Sequence, residues 1–212
     1  MSANEYLPED LSLPALSKAA KSCHGCELYR IGTQTVFGRG APHATFMFVG
    51  EQPGDVEDSK GEPFVGPAGK LLRQGLEAVG YDMGDIYITN AVKHFYWTQQ
   101  GNRRLHKKPK VSHIKACLPW LEKEILIINP RIIVALGTTA GRAVWGRDVT
   151  IHKDGGQFVQ GPYCDKTILI RHPSSLLRIS DRNAREEALH LYREELANIK
   201  DESFRMSHES VS

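Results

Sequence analysis

The chain has 212 residues, of which 41% are hydrophobic and 25% charged, and its formal net charge is +2. This length and composition suit one globular domain and exclude a largely disordered chain. No apolar run reaches about 18 residues, so we expect no membrane-spanning segment. The N-terminal stretch MSANEYLPEDLSLP lacks an apolar signal core. We therefore expect a cytoplasmic protein whose four cysteines are ligands, nucleophiles or buried groups rather than disulfides.

The positive charges are concentrated in one segment of the chain. Between Ile86 and Leu121 there is no Asp or Glu. The cations of this segment are Lys93, Arg103, Arg104, Lys107, Lys108, Lys110 and Lys115. Because the net charge of the whole chain is only +2, the remainder is acidic. A basic segment on an acidic body favours a polyanionic partner. The alternative is a solvated loop whose lysines serve only solubility.

Apolar runs alternate with helical patterns from residue 45 onward. Strands are predicted at 45–50, 85–90, 131–137 and 166–171, and helices at 66–80, 138–145 and about 181–199. Apolar residues at spacings of three and four predict a further helix from Ile114 to Ile128, which Pro119 bends unless it lies in an early turn. A basic loop of about 20 residues precedes this helix, a length typical of functional or disordered segments.

The alternation of strands and helices indicates a parallel sheet with helices on both faces. We therefore predict a single-domain α/β fold with a central four-stranded parallel sheet flanked by helices. The domain is assigned to residues 1–202, and the polar residues 203–212 are expected to be frayed. In such sheets the site lies beyond the carboxyl ends of the strands. The residues that follow each predicted strand are therefore the candidates.

The loop after the first predicted strand carries Glu51, Gln52 and Asp55 between glycines. Neither a Walker A sequence nor a GxGxxG sequence occurs in the right context, which disfavours a nucleoside-triphosphate or dinucleotide enzyme. The alternative for the two carboxylates is a role as solvated loop residues or helix caps. Their position directly after a buried strand favours a functional role.

Two histidines are candidates for chemistry. His172 follows the last predicted strand, where it can donate to a developing negative charge or cap the next turn. His106 lies within Arg103-Arg-Leu-His-Lys-Lys108. One interpretation of His106 is a further basic residue that faces phosphate. The other is a neutral nucleophile, because neighbouring cations disfavour the protonated imidazole.

The cysteines include one C-x2-C pair, Cys23 and Cys26, with Cys117 and Cys164 further along the chain. A structural zinc site commonly uses two such pairs. Four thiolates gathered from scattered positions suit an iron–sulfur cluster better. The alternative is that Cys117 or Cys164 is a small buried apolar residue.

Several spaced motifs resemble one known family. They are Gly50-Glu-Gln-Pro-Gly54, Glu57-Asp58, Gly61-x-Pro-Phe-Val-Gly66-x-Ala-Gly69, Thr89-Asn-x-Val-Lys93 and His172-Pro-Ser-Ser-Leu-Leu-Arg178. In order and spacing, the chain from Cys23 to Arg178 is similar to the iron–sulfur family-four uracil-DNA glycosylases. Three departures from ordinary members resemble the UdgX class. They are Gln52 inside the first motif, His94 after Lys93 in place of a cysteine, and the basic insertion at 101–109.

This resemblance implies the uracil-DNA glycosylase fold and an enzyme that excises uracil from single-stranded or duplex DNA. By the UdgX pattern, His106 then joins covalently to the abasic site, with Glu51 as the base and a single turnover. His172 is implied as the donor to the uracil oxygen, and Asp55 as a second catalytic carboxylate. The implied substrate-binding residues are Gly50, Gln52, Phe64, Asn90, Ser174 and Arg178. The implied DNA-binding residues are Arg103, Arg104 and Lys107.

The resemblance also implies a [4Fe–4S] cluster held by Cys23, Cys26, His94 and Cys117. The alternative is all-cysteine ligation, in which Cys164 replaces His94. Two other function classes stay open. One is an ordinary, multiple-turnover uracil-DNA glycosylase, in which His106 only touches DNA. The other is a non-catalytic nucleic-acid-binding module with an iron–sulfur cluster. A zinc-stabilised RNA-binding protein is a more distant alternative. We expect a monomer.

Overall fold

The helices and strands alternate along the chain as far as the described residues extend. The computed structural model describes residues 2–209, with side chains as far as Met206. The strands are β1 (Arg39–Gly40), β2 (Phe46–Gly50), β3 (Ile86–Asn90), β4 (Trp97–Gln100), β5 (Arg103–His106), β6 (Ile132–Leu136), β7 (Phe158–Val159) and β8 (Lys166–Ile170). The helices are α1 (Leu13–Ala20), α2 (Asp55–Lys60), α3 (Pro67–Val79), α4 (Val111–Ile128), α5 (Thr138–Trp145), α6 (Ile151–Asp154), α7 (Pro173–Leu177) and α8 (Arg182–Glu209). Among residues 2–209 no helix is long and apolar enough to cross a membrane.

The main sheet has six strands in the order β1-β3-β2-β6-β8-β7. The four central strands are parallel and are the four that the sequence predicts. The α/β class is therefore confirmed, but the prediction of a purely parallel, four-stranded sheet is incomplete. The edge strands β1 and β7 pair in antiparallel orientation and have two residues each. Strands this short show no alternation of apolar residues, which is why the sequence does not reveal them.

The basic loop is also more ordered than its length suggests. Strands β4 and β5 form a separate antiparallel hairpin, in which Trp97 pairs with His106. The two strands are joined by Gly101 and Asn102, with Gly101 at a φ of 56°. Glycine adopts this conformation without strain, which permits a tight two-residue connection. Because side chains alternate along a strand, Arg104 and His106 point to the same face of the hairpin.

Apolar side chains cover both faces of the main sheet. On one face Met47, Val49 and Ile133 pack with α1, α4 and α5. On the other face Phe48 and Val134 pack with α3 and α8. Burial on both faces is typical of parallel sheets. It fixes the carboxyl ends of β2, β3, β6 and β8, and with them the loops that carry the candidate residues.

The long helices lie close to their predicted positions. Helix α3 ends at Gly80, which has a φ of 78°, as expected for a glycine cap. Pro119 lies inside α4. Helix α8 extends beyond the predicted end near Ile199 as far as Glu209, and Ser203 is buried within this extension. Residues 203–209 are thus helical, whereas the expectation for residues 210–212 falls outside the described residues.

Candidate active site

Two adjoining cavities open at the carboxyl edge of the parallel strands, where the sequence predicts the site. The inner cavity has a volume of about 580 Å³, and Phe64, Asn90 and His172 contribute to its lining. The outer groove has a volume of about 1000 Å³ and extends past Lys108 and Arg171. The residues common to both are Gln52, His106, His172, Ser174 and Arg178.

Asn90 is the last residue of β3, and it lines the inner cavity. Asn90 is 2% exposed, and its Oδ1 has no hydrogen-bond partner among the described residues. A buried amide oxygen without a partner costs about 1–3 kcal/mol, which a polar ligand in the cavity would offset. A Cβ at Gly50 would lie 2.4 Å from Asn90 Oδ1 and 2.5 Å from Phe64 Cζ. Gly50 is therefore the residue that leaves room for both side chains.

The ring of Phe64 forms another wall of the inner cavity. Phe64 is buried, and its backbone has a φ of 55°, which is rare for a residue with a side chain. The Phe64 carbonyl lies so close to Gly69 that a Cβ at position 69 would clash with it. Only glycine at position 69 therefore permits this backbone conformation. The Phe64 ring lies 6.1 Å from the His172 ring, centroid to centroid. The arrangement leaves an aromatic face beside the amide of Asn90.

His172 is held as a neutral imidazole with a defined tautomer. The backbone N–H of Ser174 donates to His172 Nδ1 at 3.1 Å, and the Ser174 hydroxyl lies 2.8 Å from the same nitrogen. Since Nδ1 accepts a hydrogen bond, the ring proton is on Nε2. Burial, together with the neighbouring charges of His106 and Arg178, lowers the pKa of His172 to about 4. At neutral pH the residue can therefore donate one N–H without carrying a charge.

His106 and Glu51 meet where the hairpin lies over the edge of the sheet. His106 Nε2 is 3.3 Å from Glu51 Oε1, and the hydroxyl of Thr139 donates to Glu51 Oε2. The side chain of His106 is 49% exposed, so the imidazole is accessible from the outer groove. Thr139 was not predicted as a site residue. Its position in the first turn of α5, directly after β6, is the signal that could have identified it.

Gln52 fastens the hairpin to the sheet. Its Oε1 accepts from the backbone N–H of Tyr96 at 3.0 Å, and its Nε2 donates to the carbonyls of Tyr96 at 3.2 Å and Lys107 at 3.0 Å. The amide is thus occupied by protein backbone. The sequence predicted a substrate-binding role for Gln52, whereas the structure directs its polar atoms to the hairpin.

Arg104 is a second anchor of the hairpin. Its guanidinium forms ion pairs with Asp55 and with Asp58, whose side chain is fully buried. It also donates to Thr33 Oγ1 at 3.1 Å. Arg104 was predicted to bind DNA, but its donors are directed to protein carboxylates. Asp55, predicted to be catalytic, lines the inner cavity and shares this ion pair.

The remaining residues predicted to contact DNA include three exposed cations. Arg103 and Lys107 are exposed, and Lys107 Nζ lies 5.7 Å from the centroid of the Tyr96 ring. Arg178 Nη1 lies 3.5 Å from the hydroxyl of Ser174. Of these cations, Arg178 lines both cavities.

Three cysteines, Cys23, Cys26 and Cys117, lie close together. Cys23 Sγ accepts from the indole N–H of Trp120 at 3.3 Å, and Cys117 Sγ accepts from the backbone N–H of Lys93 at 3.3 Å. Burial raises the pKa of the Cys117 thiol, and the nearby Cys26 and Cys23 raise it further. His94, which follows Lys93 in the sequence, is buried, and its Nε2 lies 3.1 Å from the hydroxyl of Thr35.

Cys164 lies apart from this group, and its Sγ contacts the carbonyls of Arg131 and Lys166 at 3.2 and 3.4 Å. Within residues 2–209 no group of three or more His, Cys, Asp or Glu side chains is arranged around a single metal ion. A cluster of several irons spreads its ligands further apart than one ion does. Buried thiols with N–H donors directed at the sulfur fit such a cluster chemically.

The fold and the site define an α/β enzyme whose cavities lie at the carboxyl ends of parallel strands. Comparison narrows this class, because residues 37–197 match the family model for the uracil DNA glycosylase superfamily. The chain belongs to that superfamily, which confirms the resemblance seen in its motifs.

Curated relatives agree with this assignment. A type-4 uracil-DNA glycosylase of Thermotoga maritima is 40% identical over 174 residues, which cover 82% of this chain and 86% of the relative. A protein of the same description from Sulfurisphaera tokodaii is 37% identical over 174 residues, 78% of this chain and 76% of the relative. One from Archaeoglobus fulgidus is 35% identical over 173 residues, 78% of this chain and 83% of the relative.

Proposed function

We propose that the protein is a uracil-DNA glycosylase of the UdgX class, which excises uracil from DNA and then becomes covalently joined to the abasic site through His106. The observation that carries the proposal is the 3.3 Å contact between His106 Nε2 and Glu51 Oε1, beside the cavity formed by Asn90 and Phe64. Relatives described as type-4 uracil-DNA glycosylases support the excision step. The covalent step is our own inference from His106.

Recognition of uracil falls to Asn90 in this proposal. An enzyme that acts on a base in DNA must take the base out of the stack into a pocket. A side-chain amide offers a donor and an acceptor side by side, which suits the pyrimidine edge. The free Oδ1 of Asn90 would accept from the N3–H of uracil, and its NH₂ would donate to O4. Cytosine presents the opposite pattern. Phe64 would stack under the base.

Cleavage breaks the bond between C1′ of the sugar and N1 of uracil. The electron pair leaves with the base, so negative charge develops on uracil and positive charge on the sugar. The Nε2–H of neutral His172 would donate to uracil O2, assisted by the backbone N–H groups of Glu51 and Gln52. Because the donor is already neutral and fixed by Ser174, it needs no proton change before the reaction. Asp55 and Glu51 would add negative potential beside the sugar cation.

The covalent step follows on the same sugar carbon. A lone pair of the His106 imidazole would attack C1′ and form a new N–C1′ bond. The ring then carries an excess proton, which the nitrogen facing Glu51 would transfer to the carboxylate. A tethered, oriented nucleophile can gain about 7–11 kcal/mol over one from solution in the best cases. We therefore propose that His106 outcompetes water and that the enzyme turns over once.

We also propose a [4Fe–4S] cluster held by Cys23, Cys26, His94 and Cys117. When bound, it would cross-link the N-terminal segment to α4 and to the turn after β3. The burial of Cys23 and Cys117 and the N–H groups that donate to both sulfurs support this set. The contacts of Cys164 with carbonyl groups of the main chain argue against its participation.

The proposed DNA contacts are Arg103, Lys107, Ser174 and Arg178, of which Ser174 and Arg178 line both cavities. Arg104 acts instead on the hairpin, through Asp55 and Asp58. The substrate is uracil-containing DNA, single-stranded or duplex. We propose one glycosylase domain that works as a monomer in the cytoplasm.

The test is a denaturing gel with uracil-containing single-stranded DNA and the purified holoprotein. The wild type is expected to give a shifted band that survives SDS and heat. His106→Ser should lose this band and still release uracil, since His172, Asn90 and Phe64 remain. His190→Ser, at an exposed histidine of α8, is the matched control and should give the wild-type band. A band that persists in His106→Ser assigns the nucleophile elsewhere, and a wild type that releases no uracil overturns the proposal.

A further inference from the structure

A fully buried ion pair lies directly behind the residue proposed to read uracil. Lys93 and Glu124 pair through Nζ and Oε2, with side-chain exposures of 1% and 0%. Neither side chain reaches the inner cavity or the outer groove. Buried ion pairs contribute little to stability, because the loss of hydration offsets their attraction. A contribution to folding stability therefore does not explain why this pair is buried, whereas its contacts with neighbouring residues do.

The position of Glu124 is fixed from several directions. Its Oε1 accepts from the hydroxyl of Tyr87 at 2.9 Å and from the backbone N–H of Gly38 at 3.1 Å. The hydroxyl of Thr89 donates to the same carboxylate, at 2.9 Å from Oε1. These donors come from β3 and from the segment before β1. The carboxylate thus has three donors besides Lys93, with which it forms the ion pair.

Lys93 connects this carboxylate to the main chain of Asn90. Its Nζ donates to the Thr89 hydroxyl oxygen at 2.6 Å and to the backbone carbonyl of Asn90 at 2.8 Å. Asn90 is the last residue of β3, and the N–H of the next residue, Ala91, donates to the carbonyl of Gly50 at 2.9 Å. The Asn90 carbonyl therefore lies where the pairing with β2 ends, and the ammonium group of Lys93 fixes it from behind.

We propose that Lys93, with Glu124, is a positioning residue that orients the amide of Asn90 for uracil. The pair holds the main chain of Asn90 on the protein side, which leaves Oδ1 facing the cavity without a protein partner. The inference rests on the proposed function, since it assigns the pair to the recognition of the base. It places specificity partly in residues that never touch the substrate.

The test compares charge-matched variants of the holoprotein. Lys93→Met combined with Glu124→Gln removes both charges together, so that neither is left buried alone. Lys166→Met combined with Glu202→Gln is the control, because that pair, at 2.7 Å, lies away from both cavities. The dissociation constant for free uracil is measured by titration calorimetry, with the unfolding midpoint and the iron content of each variant.

The first double variant is expected to bind uracil about tenfold more weakly and the control to bind as the wild type does. The effect should vanish when Asn90→Ala is added, because the pair acts through Asn90. If the pair had only a structural role, the loss of uracil affinity would persist in the presence of Asn90→Ala. Wild-type affinity in the folded double variant overturns the inference. So does an equal loss with and without Asn90→Ala, or a loss that accompanies loss of iron.

Thr89→Val provides a second route if the double variant does not fold. It removes the hydroxyl that contacts Lys93 and Glu124. Valine itself suits a strand. A several-fold loss of uracil affinity that again depends on Asn90 supports the inference, and unchanged affinity overturns it. Unchanged affinity in Asn90→Ala alone refutes the recognition role in the proposed function. A loss there without one in the pair variants refutes only the role of Lys93.

Discussion

Arg104 on the hairpin forms an ion pair with Asp58, a fully buried carboxylate of α2, with Nη1 2.5 Å from Oδ2. The same carboxylate accepts from the backbone N–H of Thr33 at 2.9 Å. Arg104 and His106 lie on one face of β5. The ion pair that holds Arg104 on α2 therefore also constrains the position of the His106 imidazole relative to Glu51. The hairpin is thus attached to α2 through polar contacts at defined points.

Arg104→Lys is predicted to lower the yield of covalent adduct several-fold while uracil release changes less. A lysine keeps the charge but cannot bridge Asp55 and Asp58 with a planar fork, so the hairpin is held less firmly. The measurement is the ratio of SDS-stable adduct to free abasic product in one reaction. Arg103→Lys, at the exposed neighbour, should leave the ratio unchanged. Equal ratios in both variants would assign Arg104 no part in placing His106.

Glu51→Gln is predicted to slow adduct formation by about 10²–10⁴-fold, the usual contribution of a general base. The amide keeps the size of the side chain and its contact with Thr139, but it cannot take the proton from the imidazole. Uracil release should fall less, because the bond to the base breaks before this proton moves. A time course of the SDS-stable band under single-turnover conditions measures the effect. Adduct formation at the wild-type rate would show that another group accepts the proton.

Asn90→Asp is predicted to weaken uracil excision. An ionised carboxylate accepts hydrogen bonds but cannot donate to uracil O4. The residue is also 2% exposed, so a charge there lacks solvation. Excision rates on uracil-containing DNA measure the effect, and Asn198→Asp, at an exposed position of α8, is the control. Unchanged excision by Asn90→Asp would remove this residue from the recognition of the base.

The strands and the positions directly after them were predictable because burial on both faces requires continuous apolar runs. Phe46 to Val49 and Ile132 to Leu136 are such runs, and their ends locate Glu51 and Thr139. The residue motifs added His172 and Asn90 to the same edge. Local pattern and topology therefore suffice to locate the candidate site.

Contacts between distant segments were not predictable in the same way. The Gln52 amide meets Tyr96 and Lys107, which are 44 and 55 residues away in the sequence. Nothing local indicates whether a polar side chain after a strand turns to the ligand or to the protein. The hairpin itself had a usable signal, since the Gly101-Asn102 pair between two short runs suits a tight turn.

The neutral state of His172 has a consequence for stability. Burial lowers its pKa from 6.5 to about 4. Between these values the unfolded chain binds more protons than the folded one, so stability is lost as the pH falls from about 6.5 to about 4 and is fully present above that range. His172→Gln should therefore lose less stability than the wild type between pH 7 and pH 5. Urea unfolding at the two values measures this difference. An equal loss in both proteins would contradict the buried, neutral state.

The last prediction concerns the ligands of the proposed cluster. His94→Ala should lower the iron content and change the visible absorption, whereas Cys164→Ser should change neither. The reason is the position of each residue. His94 follows Lys93, whose N–H donates to Cys117 Sγ, while Cys164 lies against the carbonyls of Arg131 and Lys166. Iron analysis and ultraviolet–visible spectra of the two purified variants give the measurement. Loss of iron in Cys164→Ser with full iron in His94→Ala would replace the histidine by the fourth cysteine.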